Sequence, residues 1–202
     1  HRDVEQGSLE WLQLHVGRPT ASEFGQIMTP KFEKRKGEMP NTYLAKKLAE
    51  AYSGAPLPGF SSWVTEQGHI REDEARPWYE LTYNVNVEEV GFVESEDGRC
   101  GCSPDGLIGE DEGIEIKSPE AHTHVKYLIN DEIPDQYVTQ VHGSLYVTGR
   151  KRWHFLSYRR GFPALVKVVE RDEAIMRKIG SILSDFYAEF DRAMQALKAK
   201  AA

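Results

Sequence analysis

Asp105, Glu115 and Lys117 have the residue types and spacing that metal-assisted phosphodiester hydrolysis needs. Asp105 lies in the turn-forming run Ser103-Pro104-Asp105-Gly106. Glu115 and Lys117 lie in Gly113-Ile114-Glu115-Ile116-Lys117. Side chains alternate along a strand, so Ile114 and Ile116 face the core and Glu115 and Lys117 share the other side. A hairpin returning Asp105 beside Glu115 would gather two carboxylates and an ammonium at one point. Carboxylates on rigid strands suit Mg2+, a hard cation that takes oxygen ligands and keeps several waters. Such an ion makes a coordinated water more acidic, and a nearby Lys positions that water or stabilises developing charge. Glu-x-Lys is also common on the wet face of an ordinary hairpin. The Pro-Asp-Gly turn and the apolar, β-rich surroundings favour the metal site; on spacing alone the two readings stand level.

A scaffold must hold these groups in place. Thr20-Ala21-Ser22-Glu23 has the capping-box form, with Phe24, Ile27 and Met28 following at helical spacing. Residues 30–40, with Lys31, Lys34, Arg35 and Lys36, read as a basic loop, 41–52 as a helix and 53–59 as a loop. Residues 63–81 read as a helix that Pro77 kinks or breaks. Strands are predicted at 85–93, 99–103 and 114–117, then helices at 121–128 and 136–147. Strands follow at 152–158 and 164–169, and a long amphipathic helix begins at Arg171. This order predicts an α/β (mixed α+β) fold, a central mixed β-sheet flanked by helices. One domain over 1–202 is expected, with a helical part at 8–81, a core at 85–170 and a C-terminal helix at 171–198.

Composition narrows the function. With 25 Lys and Arg against 32 Asp and Glu, the 202-residue chain carries a net charge of −7. That excludes a protein that coats nucleic acid by bulk attraction. It leaves room for a local basic track, or for carboxylates that hold cations. No run approaches the ~18 apolar residues of a membrane span, and the charged, polar residues 1–8 lack the form of a secretory leader. Cys100 and Cys102 are the only cysteines. Their spacing suits neither a disulfide nor, by itself, a zinc site, so both are expected reduced, on a strand, in a cytoplasmic protein.

The run Cys102-Ser103-Pro104-Asp105-Gly106-Leu107 with Glu115-Ile116-Lys117 resembles the central motif of the PD-(D/E)xK nucleases. Within them the chain is similar to the phage lambda exonuclease type of alkaline exonuclease. Thr20-Ala21-Ser22-Glu23, Gly68 with Glu72, Ala75-Arg76, residues 137–147 with Gln140, and residues 169–173 extend the likeness over residues 9–197 in one order. The resemblance implies a restriction-endonuclease-like core. Asp105 and Glu115 would be the principal metal ligands and the Ile116 carbonyl a further one. Lys117 would orient or activate the attacking water, Glu72 would be an additional acid, and Gln140 would stand near the scissile group. Two Mg2+ ions are implied, with Mn2+ able to substitute. Without the likeness, Glu72 reads as part of the charged run Arg71-Glu72-Asp73-Glu74, and Gln140 as a surface helix residue.

The same resemblance implies processive 5′→3′ digestion of double-stranded DNA ends. The products would be 5′ mononucleotides and 3′ overhangs for phage-type recombination by strand annealing. It implies a ring-shaped homotrimer, a phage single-strand annealing protein as partner, no membrane, and the cytoplasm of a bacterial host. A pocket for the terminal 5′-phosphate would use Ser22 and Ser103, with Thr20 adding a hydroxyl. The family's pocket arginine aligns with His15; Arg18, three residues on, is expected to supply the guanidinium, a charge that neutral His lacks. The family's aliphatic strand-separating wedge aligns with Thr65. Trp63 or Val64 beside it could take that role, since aromatics stack on bases, and Trp63 reads equally as a core anchor. Lys31, Lys34, Arg35 and Lys36, the run Arg150-Lys151-Arg152, and Arg159 with Arg160 are candidate DNA-backbone contacts.

Two other functions fit the same core: an endonuclease or branched-DNA resolvase, and a non-catalytic DNA-end-binding module. The intact Asp105, Glu115 and Lys117 set speaks against the second. Covalently closed circular duplex separates the exonuclease from the endonuclease. An exonuclease degrades the linearised form and leaves the circle intact; nicking of the circle would favour the endonuclease.

Overall fold

The computed structural model describes residues 1–58 and 67–201, with only the backbone given for 67–73. Helix α1 (Leu9–His15), a 3-10 helix (Ala21–Gln26), α2 (Glu38–Ser53) and α3 (Gln67–Tyr83) come first. Strands β1 (Val87–Glu88), β2 (Val93–Glu94), β3 (Gly101–Cys102), β4 (Gly106–Ile108) and β5 (Glu112–Lys117) follow. Helices α4 (Ala121–Asn130) and α5 (Asp135–Thr148) lead to β6 (Arg152–Ser157), β7 (Leu165–Glu170) and α6 (Glu173–Ala201). The main sheet has the order β1-β4-β5-β6-β7, and β2 pairs with β3 in a separate ribbon. Within the main sheet only β5 and β6 are parallel. A parallel pair needs a long crossover, and α4 with α5 is that crossover. The expected mixed sheet flanked by helices is what forms.

Both faces of the central strands are covered. Ile114, Ile116 and Leu156 pack with Val87 and Ile108 beneath Ala75 and Tyr79 of α3. On the opposite face Trp153, Phe155, Leu107 and Leu165 pack with the 3-10 helix, α5 and α6, through Phe24, Val141, Leu145, Ile179 and Phe186. No wet face is left for Glu115, which is 2 % exposed. The solvated-hairpin reading of Glu-x-Lys therefore fails.

Several local expectations change. The capping box at 20–23 does not close: the Thr20 hydroxyl donates to the Glu23 carboxylate, 3.1 Å away, and the segment winds as a short 3-10 turn. Helix α2 begins at Glu38, with Pro40 in its first turn, where a missing N–H costs nothing. Helix α3 continues through Pro77, an exposed position between the buried anchors Ala75 and Tyr79. The predicted strand at 85–93 is divided between two sheets. The Val4 carbonyl crosses it at Gly91, so closely that a Cβ there would stand 1.9 Å away. Pro104-Asp105-Gly106 is not the hairpin turn. It is the bend that leads from β3 into β4, and the turn proper lies at 109–111.

Two packing details carry stability. The Trp153 ring lies over Gly113, where an added Cβ would stand 2.3 Å from Cζ3 of the fully buried indole. Gly113→Ala should destabilise the chain by about 1–3 kcal/mol through overpacking, read by urea unfolding.

His15 is 5 % exposed, its ring 3.9 Å from that of Trp11 and 4.7 Å from that of Phe92. Its Nδ1–H donates to the Trp11 carbonyl at 2.8 Å. Burial pushes its pKa down from 6.5 to about 4. Between those values the unfolded chain binds the proton and the folded chain does not, so stability falls as pH drops through that window. His15→Gln should lose less stability than wild type between pH 7 and pH 4.5; equal losses would show that His15 does not titrate this way.

Candidate active site

The β4–β5 hairpin assembles the centre. Its register pairs Gly106 with Ile114, which sets Asp105 across from Glu115. The Asp105 carboxylate oxygen Oδ2 accepts the Ile116 N–H at 2.5 Å. Arg150 secures the hairpin from outside, its Nη1 donating to the carbonyls of Gly109 at 2.9 Å and Glu112 at 2.8 Å. Strand alternation puts Lys117 on the side of Glu115, and its Nζ lies 2.5 Å from Glu115 Oε1. Gln140 of α5 reaches the same oxygen, its Nε2 donating at 2.5 Å. Glu115 Oε1 thus takes two donors, whereas the buried Oε2 has no hydrogen-bond partner.

The electrostatics follow from this enclosure. Burial pushes the Glu115 carboxyl above the usual carboxylate range, Lys117 opposes the shift and Asp105 reinforces it. For Lys117, burial alone would lower the pKa; the carboxylates of Glu115 and Asp105 outweigh it and hold the ammonium well above its ordinary value. Its charge also stands 5.4 Å from the centre of the Tyr137 ring, which favours a cation over its face. An unpaired buried carboxylate oxygen is costly. With Asp105 beside it, it forms an all-oxygen donor set suited to a hard divalent cation. Asp105 and Glu115 fit that role. Among the described residues no further acidic side chain joins them in a cluster of three. The Glu72 side chain lies outside the described residues, as do Trp63, Val64 and Thr65.

A cavity of about 900 Å³ opens over these groups, and its wall includes Asp105, Glu115, Lys117, Gln140, Ser22 and Ser103. His15 also reaches it, but burial keeps the imidazole neutral near pH 7. Thr20 is buried, its hydroxyl 3.2 Å from that of Ser22. Arg18 is elsewhere. Its guanidinium pairs with Glu94 at 2.8 Å and donates to the carbonyls of Leu14 at 2.7 Å and Gly98 at 3.0 Å. The expected guanidinium is therefore not in the cavity wall, because Arg18 fastens α1 to the β2–β3 ribbon.

Sequence reasoning missed Lys46 and Lys47 of α2, which also line the cavity. Lys47 is 2 % exposed and is held between Glu23, at 3.0 Å, and Glu50, at 3.2 Å. The signal was present: Lys47 follows Tyr43 by one turn, on a face that packs inward, where a charge needs partners. Cys102 is a wall residue too, and burial pushes its thiol well up, so it offers no thiolate near neutral pH.

Other basic candidates are engaged in the fold. Lys34 pairs with Asp185 and Glu189, Arg35 donates to the Gly25 carbonyl, Lys151 pairs with Asp111 and Arg160 with Glu74. Arg152 bridges Glu112 and Glu170, and Arg159 donates to the Pro119 carbonyl. Lys31 and Lys36 are exposed. Among the described residues no helix is long and apolar enough to cross a membrane.

Among solved structures the chain is similar to the alkaline exonuclease LHK-Exo from Laribacter hongkongensis. The identity is 28 % and the TM-score 0.85, over 96 % of this chain and 98 % of that one. The structure of LHK-Exo in complex with dAMP matches over the same shares at 29 % identity and a TM-score of 0.85. A phage-related exonuclease from Haemophilus somnus 129PT shares the fold, at 12 % identity and a TM-score of 0.61, over 89 % of this chain and 96 % of that one. No curated protein matches. Residues 10–151, most of the chain and all of the hairpin, α5 and the cavity wall named above, match the YqaJ-like viral recombinase domain, and the chain belongs to that family.

Proposed function

We propose that the chain is a Mg2+-dependent, processive 5′→3′ exonuclease acting on double-stranded DNA ends. It releases 5′ mononucleotides and leaves 3′ overhangs for recombination by strand annealing. The coarser statement, a phosphodiester-cleaving exonuclease, rests on its family and on the likeness to LHK-Exo along nearly its whole length. The observation that supports the metal-dependent chemistry is Glu115, a buried carboxylate with one oxygen unpartnered, beside Asp105 and Lys117 in the wall of an open cavity.

Asp105, Glu115 and the Ile116 carbonyl would hold Mg2+, with Mn2+ able to replace it and Glu72 a candidate further ligand. When bound, the cation polarises the phosphodiester and acidifies a water. Lys117 stays charged, so it orients the nucleophile and stabilises charge by donating protons in hydrogen bonds. Gln140 holds Glu115 Oε1 from α5. Ser22 and Ser103 offer hydroxyls to a terminal phosphate. Lys46, exposed on the cavity wall, is the candidate to supply positive charge there in place of Arg18, since His15 is neutral and Lys47 is taken up by Glu23 and Glu50. The homotrimer, the annealing partner and the site of action in a bacterial host belong to the same proposal.

Linear duplex labelled at the 5′ or the 3′ end of one strand tests it. Wild type with Mg2+ should release 5′ label as mononucleotide first, and none without metal. Lys117→Ala should slow release by about 10²–10⁴-fold, and it should still be stabilised thermally by Mg2+. Unchanged Mg2+-dependent digestion by this variant would sink the proposed chemistry.

A further inference from the structure

Arg76 lies on α3, whose seat on the sheet is fixed. Next to it Ala75 is buried, and one turn on Tyr79 is buried as well. The Tyr79 hydroxyl bonds His154 Nδ1 at 2.7 Å, and His154 Nε2 bonds Glu112 Oε2 at 2.7 Å. Because a carboxylate only accepts, His154 Nε2 carries the hydrogen to Glu112. The helix is thereby tied to β5 and β6, the strand of Glu115 and its parallel neighbour. Held this way, the guanidinium of Arg76 reaches past the end of β4. Its Nη2 donates to the Asp105 carbonyl at 3.2 Å, and its Nη1 pairs with Glu89 at 2.5 Å. Its side chain is 18 % exposed, whereas that of Glu89 is 72 % exposed.

We propose that Arg76 is a positioning residue for the cation site, locking the Asp105 peptide so that its carboxylate is aimed before any ion arrives. The inference rests on the metal-binding reading above. Asp105 needs such a lock because the β4 ladder begins only at Gly106. Pro104 before it has no N–H to anchor the bend, and its carbonyl is held only by the Gln6 side chain, at 3.0 Å, among the described residues. Among the described residues, the Ile116 N–H holds the Asp105 carboxylate and Arg76 holds its carbonyl. Releasing the carbonyl loosens the peptide that carries the carboxylate and widens the range of positions it takes beside Glu115. A guanidinium suits the task because its planar fork serves Asp105 and Glu89 together, whereas an ammonium is a single point of charge. Glu89 is the outer, solvent-screened partner, and such pairs contribute little.

The test is a Mg2+ titration of the full chain, followed by thermal unfolding and by calorimetry. Arg76→Met should raise the Mg2+ concentration for half-maximal stabilisation by about tenfold or more, the usual effect of removing a partner that orients a metal ligand. The Mg2+ requirement for digestion should move with it, and the rate at saturating Mg2+ should recover. Arg76→Lys should lie between Arg76→Met and wild type, and Glu89→Gln should keep the wild-type midpoint. A merely structural Arg76 would lower the metal-free unfolding temperature and leave the midpoint in place; that result overturns the inference. Should Arg76→Met not fold, identical midpoints for Arg76→Lys, Glu89→Gln and wild type overturn it equally. If wild type itself shows no Mg2+ response, the metal-binding reading fails, and this inference fails with it.

Discussion

A carboxylate held out of water is the constraint around which this molecule is arranged. Removing a charge of that kind from solvent costs several kcal/mol unless partners replace the lost hydration. Glu115 has such partners on one oxygen only, Lys117 and Gln140. They arrive from different elements, one from the same strand and one from the crossover helix α5. The hairpin adds Asp105, a second negative group that makes the enclosure harder to tolerate and shifts Glu115 further toward its protonated form. A fold that only sought stability would place apolar groups here. This one keeps an oxygen bare at the wall of an open cavity, the kind of local frustration found where function opposes packing.

Much of the core was legible in the sequence. The alternation through Ile114, Glu115, Ile116 and Lys117 assigned each side chain to its face, and the long amphipathic pattern from residue 171 became α6. What was not legible depended on distant chain. The split of residues 85–93 comes from Val4, and the burial of Glu115 comes from α5; neither leaves a local periodicity. Strand β4 is three residues long, too short to show alternation, so its first half read as a turn. Arg18 was misplaced because proximity in sequence says nothing about which way a guanidinium turns once Glu94 is within reach. Lys47 was passed over because a helical lysine is usually solvated, and its carboxylate partners include one from another element.

The net charge of −7 changes meaning beside these details. Many of the basic residues that looked available to bind a polyanion are engaged in ion pairs or in holding carbonyls. Arg150 gathers the turn between β4 and β5, and Arg171 donates to the Leu145 carbonyl near the end of α5. Positive charge here serves chiefly as internal fastening. Among the described residues three lysines line the cavity: Lys117 of the central motif, paired with Glu115, and Lys46 and Lys47 of α2, beyond that motif.

The parallel pairing of β5 with β6 sets an order of assembly. The hairpin of β4 and β5 closes over a few residues, so Asp105 and Glu115 can meet early and cheaply in loop entropy. Enclosure waits longer. Between Lys117 and Arg152 the chain must lay down α4 and α5 before β6 can dock, and only then does Gln140 stand over Glu115. Non-local pairings of this kind form late because the intervening loop must be ordered first. Without the crossover in place, the two carboxylates of the hairpin would lack Gln140 and the cover of α5. The centre takes its final electrostatic character only when residues from about 135 to 157 are in place.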